Sequence, residues 1–474
     1  MAQYSLIIDG KKVDTQDYFD VLNPATEALV AQCPVAKQEH LDQAVVAAQK
    51  AFKTWSKVDM ATRKQKINEV ADKIEAHFDE LAALITQEQG KPLQGFAGLG
   101  SGFEVGGCVA WCRYTTTLDL PVAILQDDDE CRVELHRKPL GVVGSITPWN
   151  WPLMIGIWHV IPAIMTGNTV VIKPSSMTPL STIRFVELAN EVLPAGVLNI
   201  VTGEGGLGRL ITSHPGIQKI VFTGSTPTGK GIMKSAADTL KKVTLELGGN
   251  DAGIVLPDVD VNAIAPKIFA TSFINSGQTC AALKRLYVHE SIYDDMCAAL
   301  TQFAENVKMG NGMDDGVDFG PVQNRAQLDI VRELADAARA DGGRFLVGGE
   351  AMSGPGYFYP LTLVADVTDG CRLVDEEQFG PILPIIKYSD IDEVIERSNN
   401  NPNGLGGSVW SNDIDKAKAI AARMECGSVW INGHALVKPH VPFGGVKDSG
   451  LGVEFGQIGL EEYTNVQAVH IEKA

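Results

Sequence analysis

The chain has 474 residues, 45% apolar and 21% charged, with a formal net charge of −18. That length exceeds one ordinary core and predicts two or three structural units, and the acidic balance argues against nucleic acid or an anionic membrane as partner. Residues 1–5 carry no basic stretch leading into an apolar run, and eight scattered cysteines show neither metal-ligand nor disulfide-framework spacing. A cytoplasmic protein without a bound metal is therefore expected.

In chain order, short strands are predicted at residues 5–8 and 29–35. Helices follow at 40–55 and 61–87, where apolar residues recur every three or four positions. Gly90-Lys91-Pro92 stops the second helix, and another covers 103–117. The acidic run Asp127-Asp128-Asp129-Glu130 reads as a solvated turn, and the alternation over 131–137 predicts a strand in a hairpin-like arm outside the main sheet. Residues 139–172 contain no Asp, Glu, Lys or Arg, a length compatible with a membrane span. Pro148, Asn150, Pro152, Pro162, Gly167 and Asn168 interrupt it, so strand, turn, buried helix and strand are expected instead.

Continuous apolar strands at 142–147, 169–173, 197–201, 219–223 and 243–247 alternate with helical stretches such as 181–192 and 228–239. This pattern predicts an α/β fold with a doubly wound parallel sheet. A second strand-and-helix series begins near 252, with strands around 286–289, 383–388 and 428–431, and reads as a separate α/β domain.

Three polar residues stand out because each lies in Gly- or Pro-rich turn sequence. Cys280 ends Asn275-Ser276-Gly277-Gln278-Thr279-Cys280, Glu246 lies in Leu245-Glu246-Leu247-Gly248-Gly249, and Asn150 lies in Thr147-Pro148-Trp149-Asn150-Trp151-Pro152. A lone cysteine is most often an inert buried side chain, as the other seven are read. Cys280 differs in its flexible, polar approach. Glu246 ends a parallel strand, where open sheets bind ligands, rather than sitting at an ordinary cap. A thiol, a carboxylate and an amide suffice for covalent chemistry on a carbonyl: the thiol attacks, the amide holds the oxygen that gains charge, and the carboxylate activates water.

Phe222-Thr223-Gly224-Ser225-Thr226-Pro227-Thr228-Gly229 follows a strand and opens a helix, an arrangement suited to a phosphate. Gly203-Glu204-Gly205-Gly206-Leu207-Gly208 comes closer to the three-glycine fingerprint but is read as a helix-opening turn, since no acid about twenty residues on ends a matching strand. Lys173-Pro174-Ser175-Ser176 ends another strand, and Glu376-Glu377-Gln378-Phe379-Gly380-Pro381 and Pro442-Phe443-Gly444-Gly445-Val446-Lys447-Asp448-Ser449-Gly450, with Glu454 beyond, complete the set.

Taken together and in this order, these segments resemble the NAD(P)-dependent, non-CoA-acylating members of the aldehyde dehydrogenase superfamily. The resemblance runs from Asn23-Pro24-Ala25-Thr26 to Tyr463-Thr464 and includes Arg285. It implies Cys280 as nucleophile, Glu246 as the base for the hydrolytic water, and Asn150 as an oxyanion donor. It further implies NAD or NADP held by Ile146, Thr147, Trp149, Lys173, Ser176, Gly224, Ser225, Gly229, Glu377 and Phe379. NAD-preferring relatives often carry a glutamate at the position of Ser176; the neutral hydroxyl here removes a repulsion toward a 2′-phosphate, so NADP is expected to be tolerated. The implied division is a dinucleotide-binding domain over 1–117 and 139–247, rejoined by 434–455. A catalytic domain spans 248–433, and an oligomerisation arm of 118–138 and 456–474 would build a homodimer or homotetramer. An arginine common before the glutamate at 454 is Val453 here.

For substrate, the resemblance points to Met154, Trp158, Thr279, Ala281, Val437 and Phe443 as pocket residues. The helix after Asn150 is expected to turn Met154, Ile155 and Trp158 toward the access path, and His434, Lys438 and His440 to lend polarity to its mouth. Relatives acting on succinate semialdehyde tend to carry an arginine where Trp158 stands; without it a distal carboxylate would be desolvated unpaired. A medium-chain aliphatic or aromatic aldehyde is expected, oxidised to the acid through a cysteine thiohemiacetal and thioester. The alternatives are a succinate-semialdehyde-type enzyme, a CoA-acylating relative (disfavoured by Glu246) and a non-catalytic binding protein on the same scaffold.

Overall fold

The computed structural model describes residues 2–473. An eight-stranded sheet has the order Gly450–Leu451, Lys242–Glu246, Lys219–Thr223, Val142–Ile146, Thr169–Lys173, Leu198–Ile200, Leu6–Ile8, Lys11–Val13. From Lys242–Glu246 to Leu198–Ile200 all pairings are parallel. The chain winds from Val142–Ile146 out to Leu198–Ile200, then crosses back to Lys219–Thr223 on the other side. The order therefore reverses between Val142–Ile146 and Lys219–Thr223, and the crevice at such a reversal is where open α/β sheets hold ligands.

These five strands are apolar because helices cover both faces. Helix Pro152–Met165 explains the long uncharged stretch: it is buried over nearly its whole length between neighbouring helices and the sheet. Among the described residues no helix is long and apolar enough to cross a membrane.

A second sheet of seven strands runs Arg344–Val347, Thr362–Val367, Ile382–Tyr388, Leu283–His289, Asp251–Val255, Gly406–Trp410, Ser428–Ile431, parallel except at its first pair. A third, antiparallel sheet joins Thr464–Glu472, Cys131–Pro139 and Ala123–Asp127. Its strands pair Arg137 with Val466 and leave Ile124, Leu125, Val466 and Ile471 exposed.

The single helix expected over 61–87 is two, Met60–Ala76 and Phe78–Gln89. His77 leaves helical geometry (φ −112°, ψ 26°), and Asp79 and Glu80 restart a first turn that favours acids. Periodicity survives this break because both helices keep an apolar face on one core. Gly90 then ends the second helix in the left-handed region at φ 99°.

Candidate active site

Cys280, Asn150, Pro148, Trp149, Thr223, Gly224, Ser225, Gly248, Glu377 and Phe379 line one cleft of about 260 Å³ at the strand-order reversal. One wall comes from the first sheet's strand ends and the other from the second sheet's side. Cys280 lies half-buried at its floor.

The segment before Cys280 is backbone-strained. Asn275 (φ 53°), Ser276 (φ 54°) and Gly277 (φ 75°) are all left-handed, which for the two non-glycines costs on the order of 1–3 kcal/mol each. Side-chain bonds over-determine the turn. Asn275 Nδ2 donates to the Asn150 carbonyl at 2.9 Å, Ser276 Oγ to Gly320 O at 2.9 Å, and Gln278 Nε2 to Asn275 O at 2.9 Å. A Cβ on Gly277 would lie 2.1 Å from the Gly380 carbonyl oxygen, so no other residue fits.

Burial pushes the Cys280 thiol up to about 12, Lys284 opposes this, and Glu246 and Glu377 add to it. Lys284 Nζ donates to the Cys280 carbonyl at 2.5 Å and lies 3.1 Å from Glu377 Oε1, which also accepts from Gly249 N at 3.1 Å. Gly248 and Gly249 admit this approach: a Cβ on either would fall 2.5 Å from Glu377 Oε2 or from Cys280 O.

Glu246 is 5% exposed, and among the described residues neither of its carboxylate oxygens has a hydrogen-bond partner. Burial, reinforced by Glu454, holds its carboxyl well above the usual range. The returning segment stitches it in place: Glu246 pairs with Gly450, Leu247 N donates to Ser449 O at 2.9 Å, and Ser449 Oγ to Gly248 O at 2.6 Å. Glu454 meets His159 Nε2 at 3.3 Å, and His159 also contacts Ser145 Oγ at 2.9 Å and Thr223 Oγ1 at 3.1 Å, all deep in the protein.

Asn150 is buried, and its Nδ2 donates to Gln278 O at 3.0 Å, leaving a second amide hydrogen on the same nitrogen. Its carbonyl accepts from Lys91 Nζ at 2.8 Å. Lys91 is paired with Glu104 at 2.6 Å, both side chains wholly buried, and removing one partner of such a pair costs about 3–5 kcal/mol.

Of the residues singled out for a dinucleotide, Trp149 and Phe379 meet edge-to-face with centroids 5.3 Å apart, and Phe379 is held at φ 45°. Ser225 occupies the N-cap position of helix Thr226–Ala237 with its hydroxyl 2.9 Å from Thr228 Oγ1, Gly224 N donates to Glu246 O at 2.9 Å, and a Cβ on Gly229 would lie 2.5 Å from Leu247, so the helix packs closely on its strand. Ile146 ends the central strand and Thr147 follows it, and the buried Thr147 Oγ1 has no hydrogen-bond partner among the described residues. Lys173 is buried, donates to Pro174 O at 3.0 Å, and is lowered to about 8 by burial; Ser176, three residues on, is half-buried. These features fit a dinucleotide: glycines where backbone must approach, a helix N-terminus for the pyrophosphate, and a cation with neutral hydroxyls at the strand ends.

On the other side of Cys280, Ala281, Phe443, Phe455 and Leu405 form an apolar cluster, with Trp111, Trp158, Trp430, Val437 and Cys280 packed against it. Trp158 meets Phe455 at 4.7 Å and Trp111 at 5.4 Å between centroids. Thr279 turns its hydroxyl to Trp151 Nε1 at 3.0 Å. Met154 and Ile155 are buried in the main core, where the Met154 sulfur lies against Gly107 of helix Ser101–Thr115, whereas Trp158, on the same side of its helix, is only partly buried and packs against both that core and the aromatic cluster. One expectation for this side, that for His434, needs correction. His434 is not at the mouth. It is fully buried against Trp430 and lies 3.5 Å from Asp251, whereas Lys438 and His440 are exposed. Arg285 likewise serves structure, donating to Asn250 O and Ser398 O.

Lys284, Lys91, Glu104, Trp111 and Phe455 were not foreseen. A Lys-Arg pair inside an otherwise apolar strand was a readable signal for Lys284, and His159 is the only titratable side chain between residues 139 and 172. Nothing local distinguished Lys91 from a helix-stop residue.

Compared with known proteins, the chain matches the pattern of the "Aldehyde dehydrogenase family" over residues 11–469. It is 39% identical over 486 residues to a phenylacetaldehyde dehydrogenase of Pseudomonas fluorescens, covering 99% of this chain and 96% of that protein. Its structure is similar to the NAD+ complex of an aldehyde dehydrogenase from Bacillus cereus, with TM-score 0.96, 36% identity, and 99% and 97% of the two chains covered. A betaine aldehyde dehydrogenase point mutant from Staphylococcus aureus, in complex with NAD+, matches with TM-score 0.95, 32% identity, and 99% and 96% coverage.

Proposed function

Because the chain belongs to the aldehyde dehydrogenase family, we propose that it oxidises a medium-chain aliphatic or aromatic aldehyde to the free carboxylic acid, with NAD or NADP as hydride acceptor. One observation carries the mechanism: a thiol at the floor of a cleft, an amide at its side and a buried, unpartnered carboxylate electrostatically coupled to that thiol.

In this reading the Cys280 thiolate bonds to the aldehyde carbon, and the carbonyl electron pair moves onto oxygen. The second amide hydrogen of Asn150 and the Cys280 backbone N–H hold that oxyanion. When bound, the dinucleotide supplies the hydride acceptor. Loss of hydride leaves an acyl thioester on Cys280. Glu246 removes a proton from water, the hydroxide adds to the thioester carbonyl, and the sulfur departs as thiolate while the acid is released. Its raised pKa suits Glu246 to this task, because a base of ordinary carboxylate strength would be too weak near neutral pH. Lys173 and Ser176 would hold the adenosine ribose, the Gly224–Gly229 turn with Ser225 the pyrophosphate, and Glu377 the nicotinamide ribose. Phe379, Ile146, Thr147 and Trp149 would enclose the ring's surroundings.

The aromatic cluster of Trp111, Trp158, Phe443 and Phe455 supports an apolar substrate. The phenylacetaldehyde-oxidising relative agrees with this preference. The exposed apolar residues of the third sheet support an arm that joins subunits into a homodimer or homotetramer. A steady-state screen of hexanal, benzaldehyde, phenylacetaldehyde and succinate semialdehyde, each with NAD and NADP and with or without CoA, tests the reading. Higher kcat/KM on the first three, with free acid as product, is expected. Preference for succinate semialdehyde, or acyl-CoA as product, would overturn it.

A further inference from the structure

We propose that Lys91 and Glu104 are positioning residues for the reaction: their buried ion pair clamps Asn150 and Trp151 onto the two residues immediately ahead of Cys280. The Lys91 ammonium is surrounded on three sides. It lies 2.6 Å from Glu104 Oε2, 2.8 Å from the Asn150 carbonyl, and 3.4 Å above the Trp151 ring. Both residues that it grips reach the nucleophile segment. Asn150 Nδ2 donates to Gln278 O at 3.0 Å, and Trp151 Nε1 to Thr279 Oγ1 at 3.0 Å. Glu104 fixes the other end of the turn, since its Oε1 accepts from Leu153 N at 3.0 Å and Met154 N at 3.1 Å, the free amides that open helix Pro152–Met165.

The pair thus holds both ends of a turn that carries the candidate oxyanion donor, from outside the cleft itself. Core-filling explains it poorly. A buried ion pair is no better for stability than apolar side chains of the same volume, whereas its directional bonds fix a geometry that apolar packing would not. Oxyanion stabilisation needs such fixing, because a donor displaced by a fraction of an ångström no longer meets the oxygen as charge develops.

This inference rests on the reading of Asn150 as oxyanion donor, so the test has separate arms. Glu104→Gln, the double variant Lys91→Met with Glu104→Gln, Asn150→Ala, and the triple combination are made in the full chain. Two rates are measured in each: single-turnover reduction of the dinucleotide by hexanal, and alkylation of Cys280 by iodoacetamide, which builds no oxyanion. The expected result is a tenfold or greater loss of the first rate in the double variant and a smaller loss in Glu104→Gln. Alkylation should stay within twofold of wild type, and the pair should add no further loss once Asn150 is alanine. A pair variant that oxidises aldehyde at the wild-type rate while Asn150→Ala is impaired would overturn the positioning role alone. Full activity in Asn150→Ala would overturn the oxyanion reading beneath it. Equal loss of both rates, in Glu104→Gln as in the double variant, would reduce the pair to a structural element and also overturn the proposal.

Discussion

The Lys284 ammonium lies 3.1 Å from the Glu377 carboxylate while reaching the carbonyl of Cys280, so one cation ties the nucleophile's backbone to the acid that lines the opposite wall of the cleft. Its charge is also the main influence opposing the upward shift of the Cys280 thiol. Lys284→Met is therefore expected to slow iodoacetamide alkylation of Cys280 at pH 7–8 by about tenfold, the equivalent of one pKa unit. It should also raise the KM for the dinucleotide, because Glu377 keeps the Gly249 amide but loses its cationic partner. Unchanged alkylation across that pH range would refute this electrostatic role.

Replacing Cys280 by alanine is expected to lower aldehyde oxidation by about 10³-fold or more, since binding and oxyanion contacts alone cannot supply the covalent step. Calorimetric dinucleotide binding should stay within about twofold of wild type. Retained turnover would rule Cys280 out as nucleophile.

Glu246→Gln is expected to slow release of the acid by about 10²–10⁴-fold while leaving a burst of reduced dinucleotide. In the wild type, acid release should rise with pH, because the carboxyl is held above its usual range and only the ionised form serves as base. The sign for stability is opposite. A carboxyl with a raised folded-state pKa favours folding fully below its unfolded value of roughly 4.3 and loses that contribution as pH climbs through the raised value. The Tm of Glu246→Gln should therefore fall less between pH 5 and 8 than that of the wild type. Parallel Tm profiles would contradict the buried-acid assignment.

Ser176→Glu tests the proposed placement of Ser176 at the adenosine ribose, since a carboxylate there would repel a 2′-phosphate. The ratio of kcat/KM for NADP over NAD is expected to drop about tenfold or more through like-charge repulsion. A ratio that does not move would mean that Ser176 does not face the adenosine ribose.

Trp158→Arg should shift preference from hexanal and benzaldehyde toward succinate semialdehyde, because a guanidinium in this apolar cluster can pair a distal carboxylate. Loss of activity on every aldehyde with an unchanged ranking would place Trp158 in the core rather than in substrate contact.

Much of the architecture was legible because strand residues buried on both faces must be apolar. Lys219–Thr223 and Ser428–Ile431 coincide with the runs that announced them. Helix boundaries were less legible. The break at His77 depends on local backbone geometry and on charges suited to a first turn, not on the apolar spacing that both helices share. Periodicity also placed Met154 and Trp158 on one side of a helix, but only the packing of Gly107 against Met154 and of Trp111 against Trp158 separated core from cluster.

What the linear chain determined was its chemical inventory. Turn residues around Cys280, Glu246 and Asn150, glycines at 224, 229, 248 and 249, and the neutral Ser176 are all local properties of residue type and spacing. Which distant residues meet was decided only by folding. Lys284 against Glu377, Lys91 against Asn150 and His159 against Glu454 are separated by 93, 59 and 295 positions, and none carries a local signature of its partner. Their proximity arises because sheet order, not sequence order, brings strand ends and returning loops to one cleft. Burial there then makes each pairing matter, by removing the water that would otherwise screen it.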